Sequence, residues 1–295
     1  MDRFDDMAMF QIIHRTGTIS AAAAELDVAP SAVSRRLKAL EQRLGVQLVQ
    51  RTTRRLTLTS AGEAYLNGSS HILSALDELE GTLQAGAGTL SGSIRLTVPL
   101  SFGLCSLPNI IDGFMRAHPE VELDLDLSDA QIDLVAQGVD LALRIGQLEN
   151  STLMARRLCA IDFALCASPA FLDQHSEFQH PKELSNLPAC VYTNDTQGTI
   201  LKWQGPEGEK GHITMRSVVR ANNGDILRDL AVRGHGLVMA PRFILEGELK
   251  KGRLREIFPD YRWADSNLYA VYPPLTHMPA RLRALIDYLA TALKD

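Results

Sequence analysis

The chain lacks any paired-cysteine motif. Its four cysteines, Cys105, Cys159, Cys166 and Cys190, form no CxxC pair, and the seven-residue step from Cys159 to Cys166 fits no metal-ligand spacing. Two readings of these thiols stay open, buried and inert or a redox switch. The eight histidines form no HxH or HxxxH cluster, so no metal site is expected. No run approaches the ~20 apolar residues of a membrane span. The stretch from Met1 to Phe10 is acidic and has no apolar core, unlike a signal peptide, so a cytoplasmic protein is expected. There is no GxSxG, no GxxxxGK[ST] and no GxGxxG. Catalysis is therefore not expected, and no cofactor is implied. A periplasmic solute-binding protein is disfavoured for want of a leader.

What is present is an ordinary globular composition, 45% hydrophobic and 22% charged, over 295 residues. That length suits two or three compact units. Charge is unevenly placed. Between Val28 and Thr59 stand Arg35, Arg36, Lys38, Arg43, Arg51, Arg54 and Arg55 against the single acid Glu41. That window carries an excess of six positive charges, which leaves −11 elsewhere in a chain of net charge −5. One cationic patch on an acidic chain points to a polyanion partner held at one end.

Apolar Met7, Met9, Phe10, Ile12 and Ile13 predict a helix over Asp5–Arg15, ended by Gly17. A short Ala-rich helix over Ser20–Leu26 follows, with Thr18 or Ser20 as its cap. Pro30 fits the first turn of a third helix, where its missing N–H costs nothing. Val33, Leu37, Leu40 and Leu44 give that helix one buried face, and Gly45 stops it. Ser31, Ser34, Arg35 and Lys38 lie largely off the apolar stripe. Adjacent Arg35 and Arg36 diverge by about 100°. Such a face can enter a major groove and place hydroxyl and guanidinium groups at base edges and phosphates. The segment Gln50-Arg51-Thr52-Thr53-Arg54-Arg55, followed by alternating Leu56, Thr57, Leu58 and Thr59, predicts a two-stranded wing with a basic tip. A merely solvated helical bundle would seldom gather seven cations against one anion.

The sequence Phe10-x6-Gly17-x3-Ala21-Ala22, Leu26, Ser31-Ala32-Val33-Ser34-Arg35-x-Leu37-x2-Leu40-Glu41-x2-Leu44-Gly45-x2-Leu48-x2-Arg51 and Thr57-x-Thr59-x-Ala61-Gly62 resembles the signature of LysR-type transcriptional regulators. The resemblance implies a winged helix-turn-helix on double-stranded DNA, with contacts from Pro30, Ser31, Ser34, Arg35, Arg36, Lys38, Arg51, Thr52, Arg54 and Arg55. Many members carry Gln where this chain has Pro30. Base reading would then shift to Ser31, Ser34 and Arg35.

Ser60-Ala61-Gly62-Glu63 has the form of a capping box. Tyr65, Ile72, Leu76, Leu79 and Leu83 form one stripe along the following helix. That stripe fits either packing on its own domain or a short coiled coil. The resemblance implies the second, a homodimer joined by this linker, with tetramers built from dimers. A two-fold pair would set two recognition helices about one DNA turn apart. Gly86, Gly88, Ser91 and Gly92 predict a hinge.

Beyond it, strands at Ser93–Val98, Val121–Leu127 and Leu141–Ile145 alternate with helices over 102–117 and 132–137. This βαβαβ order predicts a mostly parallel sheet. Further strands are expected at 153–159, 163–167, 191–193, 213–215, 218–220, 237–240 and 268–272, with helices at 225–232 and 280–293. The expected organisation is an N-terminal all-α winged helix-turn-helix (1–59), a linker helix and hinge (60–91), and an α/β effector domain (92–295). The resemblance implies that this domain is two-lobed and like a periplasmic binding protein, with lobes near 92–162 plus 266–295 and 163–265. Matching that pattern nominates Ser101, Phe102, Gly103, Arg144, Gly146, Thr193, Asn194 and Asn222 around a cleft for a small-molecule effector. Ser101 and Arg144 would suit a carboxylate. RNA polymerase is a further partner that an effector-driven rearrangement could reach.

Overall fold

The computed structural model describes residues 2–51, 56–84, 90–130, 132–146, 152–175, 177–194, 198–275 and 278–294. The N-terminal module opens with α1 (Arg3–Thr16). The Asp2 carboxylate caps it by accepting from the Phe4 N–H at 3.0 Å, and Gly17 ends it at φ 72°. Helix α2 (Ile19–Glu25) starts where the Thr18 hydroxyl accepts from the Ala21 N–H at 3.1 Å. Helix α3 (Pro30–Leu44) has Pro30 in its first turn and ends at Gly45. Strands β1 (Val49–Arg51) and β2 (Leu56–Leu58) pair antiparallel as the wing. Phe10, Ile13, Ala22, Val33, Leu37 and Leu40 form the core beneath them.

Helix α4 (Ser60–Gln84) leads away from the module. Its cap differs from the expected capping box. Ser60 is already helical, and Thr59 caps instead, accepting from the Gly62 N–H at 3.0 Å and donating to the Gln47 carbonyl at 2.7 Å. Gly62 lies so close to the Leu48 carbonyl that a Cβ would stand 2.0 Å from that oxygen. Tyr65, expected on a dimer seam, packs edge-to-face on Phe10 at 5.3 Å and joins the module's own core. Ile72, by contrast, is exposed.

The larger region begins with β3 (Gly92–Val98), α5 (Leu100–Cys105), α6 (Leu107–Ala117), β4 (Val121–Leu127), β5 (Leu141–Gly146) and β6 (Met154–Ile161). It continues with β7 (Phe163–Ala167), α7 (Pro169–Leu172), β8 (Pro188–Tyr192), β9 (Ile200–Gln204), β10 (Lys210–Thr214) and β11 (Arg216–Ala221). It closes with α8 (Gly224–Val232), β12 (Leu237–Pro241), α9 (Arg242–Lys250), β13 (Arg255–Glu256), β14 (Ser266–Tyr272) and α10 (Ala280–Ala292). Two five-stranded sheets result, ordered β4-β3-β5-β14-β6 and β11-β8-β12-β7-β13. In each, the first two pairings are parallel and the last two antiparallel, so both are mixed rather than mostly parallel. Strand β14 returns from the far end of the chain to the first sheet, which places α10 on that sheet's apolar face with α6.

Several expected elements shift. The helix over 102–117 is two helices, because Pro108 has no N–H for the preceding turn and instead occupies the first turn of α6. No helix forms over 132–137, and residues 134–138 are turns. The Asp133 carboxylate takes the Val135 and Ala136 N–H groups at 3.0 and 3.1 Å, in competition with helical bonding. Gly92 belongs to β3 rather than to a hinge, at φ 97° beside the Arg281 guanidinium. The strand expected at 191–193 lies at Pro188–Tyr192, and the one at 213–215 at Lys210–Thr214. Gly86 and Gly88 lie outside the described residues.

Candidate functional site

The exposed stripe of α3 carries Ser31, Arg35, Lys38 and Gln42. At 100° per residue these four span about 60° of helix circumference, so they form one continuous face. Pro30 stands exposed at its N-terminal edge, and Ser34 is half-buried. Arg36 belongs elsewhere. Its Nε donates to Asp6 Oδ1 at 2.8 Å and its second contact is Asp5 at 3.2 Å. Arg43 takes the other Asp6 oxygen at 2.8 Å. Asp6 is buried, and the bond to it raises the Arg36 pKa. Arg36 is thus a clamp between α1 and α3, not part of the exposed stripe. Glu41, the single acid of the basic window, accepts the Leu48 and Val49 N–H groups at 2.8 and 3.2 Å and sets the start of the wing. Arg51 ends β1. Thr52, Arg54 and Arg55 lie outside the described residues, as do the side chains of Arg51, Leu79 and Leu83.

The second site lies where the two sheets' helices meet. Ser101 on α5 is buried and its hydroxyl donates to Asp225 on α8 at 2.6 Å. Arg228 holds the same Asp225 at 2.7 Å and reaches the Ile244 carbonyl at 3.3 Å. Phe102 packs edge-to-face on Phe243 of α9 at 5.7 Å. Gly103 is pressed on Leu127, where a Cβ would meet the side chain at 2.5 Å, and its N–H is taken by the Pro99 carbonyl at 2.8 Å. Ser101 and Phe102 therefore reach the second lobe, at Asp225 and Phe243, while Gly103 packs within the first. The Leu100 N–H is also engaged, by the Asp129 carboxylate.

Arg144 on β5 sits half-buried, and burial lowers its pKa against the pull of Asp129 and Asp126. Among the described residues its guanidinium has no hydrogen bond or ion pair. Asp129 is pushed up by burial, then drawn back by the Leu100 N–H and by Arg144. Across from them, the Asn194 amide donates to the Asp129 carbonyl at 2.8 Å and to the Tyr192 hydroxyl at 3.4 Å. Burial and the Asp129 charge raise Tyr192 to about 12. Arg144 and Asn194 thus both interact with Asp129, one with its charge and the other with its backbone carbonyl. Gly146 ends β5 at φ 141°, while Thr193 and Asn222 are exposed, with the Thr193 N–H bonded to the Ala221 carbonyl at 2.9 Å. Asn223, not Asn222, caps α8, accepting from the Asp225 and Ile226 N–H groups at 3.1 and 3.2 Å. Sequence reasoning missed Asp129, Tyr192, Asp225 and Arg228. The available signal was position, since Asp129 and Tyr192 stand at the carboxyl ends of strands, where such folds place ligands. Three cysteines are buried and Cys105 is exposed, so the uniformly buried reading fails there. Burial lifts Cys166 to about 12 and Cys190 to about 11, well above the range of reactive thiolates.

Residues 4–63 match the family model for the bacterial regulatory helix-turn-helix protein of the lysR family, and residues 87–294 match the LysR substrate binding domain. The chain belongs to the LysR family. This LysR-family regulator is 32% identical over 282 residues to the regulator PtxR of Pseudomonas aeruginosa, covering 95% of this chain and 89% of PtxR. It is 31% identical to DmlR of Escherichia coli K12, covering 97% of this chain and 92% of DmlR. The structure of CrgA, a LysR-type transcriptional regulator from Neisseria meningitidis, aligns with a TM-score of 0.59 at 29% identity over 99% of both chains. ArgP from Mycobacterium tuberculosis shares the fold, with a TM-score of 0.65 at 22% identity over 98% of this chain and 96% of that one. The molecule is accordingly a DNA-binding transcriptional regulator with a winged helix-turn-helix and a two-lobed, periplasmic-binding-protein-like substrate domain. No helix among the described residues is long and apolar enough to cross a membrane.

Proposed function

We propose that the α3 stripe of Ser31, Arg35 and Lys38 reads base edges in the major groove, with Ser34 beside it and the wing arginines Arg51, Arg54 and Arg55 on phosphates. The observation that carries this reading is the division of the cations. The buried Asp6 carboxylate engages Arg36 and Arg43, while Arg35 and Lys38 stand without a carboxylate partner among the described residues on one exposed face. Two chains pair through α4, where exposed Ile72 begins a stripe continued by Leu76, Leu79 and Leu83, and dimers assemble into tetramers. Residues 1–59, 60–91 and 92–295 act as reading head, linker and effector domain, without enzymatic activity, in the cytoplasm. The effector is a small molecule bound beside Arg144, Asp129 and Asn194. Its differential affinity for two lobe or subunit arrangements shifts their populations and so changes the bend of the DNA or its contact with RNA polymerase. Gel retardation of the full chain on fragments upstream of its own gene, over a salt series, tests the reading head. Retention well above that of random fragments, falling steeply with salt, is expected. Equal retention of both fragment sets overturns it.

A further inference from the structure

The linker helix α4 touches the effector domain at Gly138, which ends the turns over 134–138. A Cβ on Gly138 would stand 3.4 Å from Asn67 Oδ1 and 3.9 Å from the Asn67 Cα. The bare backbone of the turn is thus laid against the side of the helix at contact distance. Gly138 has φ 63°, a left-handed conformation that glycine adopts without strain. The helix also passes beside β3, the strand that carries Arg95.

Both sides of this contact are fastened from behind. On α4, Tyr65 packs on Phe10, and the Gln11 amide donates to the Ser70 hydroxyl at 3.0 Å. Half-buried Asn67 stands about 200° around the helix from Tyr65, on the side away from Phe10. On the turn, the Gln137 carbonyl accepts from the Arg95 guanidinium at 2.9 Å, and Asp140 Oδ2 accepts from the Arg95 N–H at 2.8 Å. The Asp140 N–H returns to the Arg95 carbonyl at 3.0 Å. Leu134 and Val139 are buried against Ala142 and Val271. Ala142 precedes Arg144 by two positions on β5, so the turn packs on the sheet face that carries Arg144. A turn tied on both sides passes on a displacement that a loose loop would absorb, because packed side chains and hydrogen bonds carry it.

We propose that the turn over 134–138 is a docking bracket that fixes α4, and with it the reading head, against the first lobe, so that a shift of that lobe's sheet moves the head. The bracket does not depend on what the cleft binds. Such coupling is reciprocal, so DNA held by the head must act on the bracket in turn. Two measurements on the full chain test it. In a Cys105→Ser background, which removes the exposed thiol, Asn67→Cys with Gly138→Cys should close a disulfide within one chain on mild oxidation, because the two positions stand at disulfide range. Peptide mapping without reduction identifies the link. No link between these positions, or one that joins two chains, overturns the bracket. Cysteine at φ 63° is strained, so the second measurement starts from the unaltered chain. The Gln137, Gly138 and Val139 N–H groups are bonded to the Asp133, Val135 and Leu134 carbonyls, so their hydrogen exchange reports opening of the turn. A DNA fragment that the chain retains in gels should slow this exchange about fivefold, the lower end of ordinary coupling between sites. Asn67→Trp, which drives a ring into the contact, should abolish that response while DNA retention persists. Exchange in the unaltered chain that ignores the bound DNA overturns the proposal, and so does a full response in the Asn67→Trp chain.

Discussion

The reading head and the cleft handle arginine in opposite ways. In the head, Arg36 and Arg43 close on the buried carboxylate of Asp6, and the cations left over stand in water on α3. In the cleft, Arg144 is half-buried and its acids stay at a distance. A guanidinium paired at 2.8 Å fixes one helix against another. One desolvated without a close partner is available for a ligand. Counting charges along the chain finds both regions, but only placement separates a clamp from a contact.

The sharpest way to break this comparison is to remove the head while sparing the cleft. Gly62→Ala puts a methyl group 2.0 Å from the Leu48 carbonyl. Backbone cannot yield as a side chain does, so a loss of about 3 kcal/mol is expected, at the upper end of overpacking costs. DNA retention should vanish while the calorimetric transition of the effector domain persists. One joint transition lowered in step would show that the two regions do not melt separately.

The next effect separates the two adjacent arginines. Arg35→Ala should cost about 2 kcal/mol of discrimination between cognate and altered sites, within the range of a bidentate base contact. Arg36→Ala should lower the melting temperature of the head and leave base preference intact, because its partners are Asp6 and Asp5. Binding titrations on single-base operator variants distinguish them, and equal loss of preference in both would contradict the division. A smaller effect is expected at the joint. Ser101→Ala removes one hydrogen bond to a carboxylate that Arg228 still holds, worth about 1.5 kcal/mol. Urea denaturation should register it in the effector domain alone, and an unchanged midpoint would demote Ser101 from its bridging role.

Much of the fold was legible because it is written locally. Pro30 and Gly45 bracket α3, Thr18 caps α2, and alternation marks β4. Where local rules competed, the reading slipped. Asp133 drew two N–H groups into a turn where apolar spacing suggested a helix, and Pro108 split a helix that periodicity joined. The candidate site was less legible. Arg144 and Asn194 were nominated and each interacts with Asp129, the first through its charge and the second at the backbone carbonyl, while Phe102 packs on Phe243 and Gly103 on Leu127. Asp225 and Arg228 went unseen, since an acid and a base three apart on a helix look like any solvated pair.

Caps, turn residues and apolar spacing act over a few neighbours, so the order of elements, the helix-turn-helix and the family signature could be read from the chain alone. Partnerships over long separations could not. Asp6 with Arg36 and Arg43, Ser101 with Asp225, and Asn194 with Asp129 join residues 30 to 124 positions apart. Hydrogen bonding and desolvation act through distance in space, and only folding sets that distance.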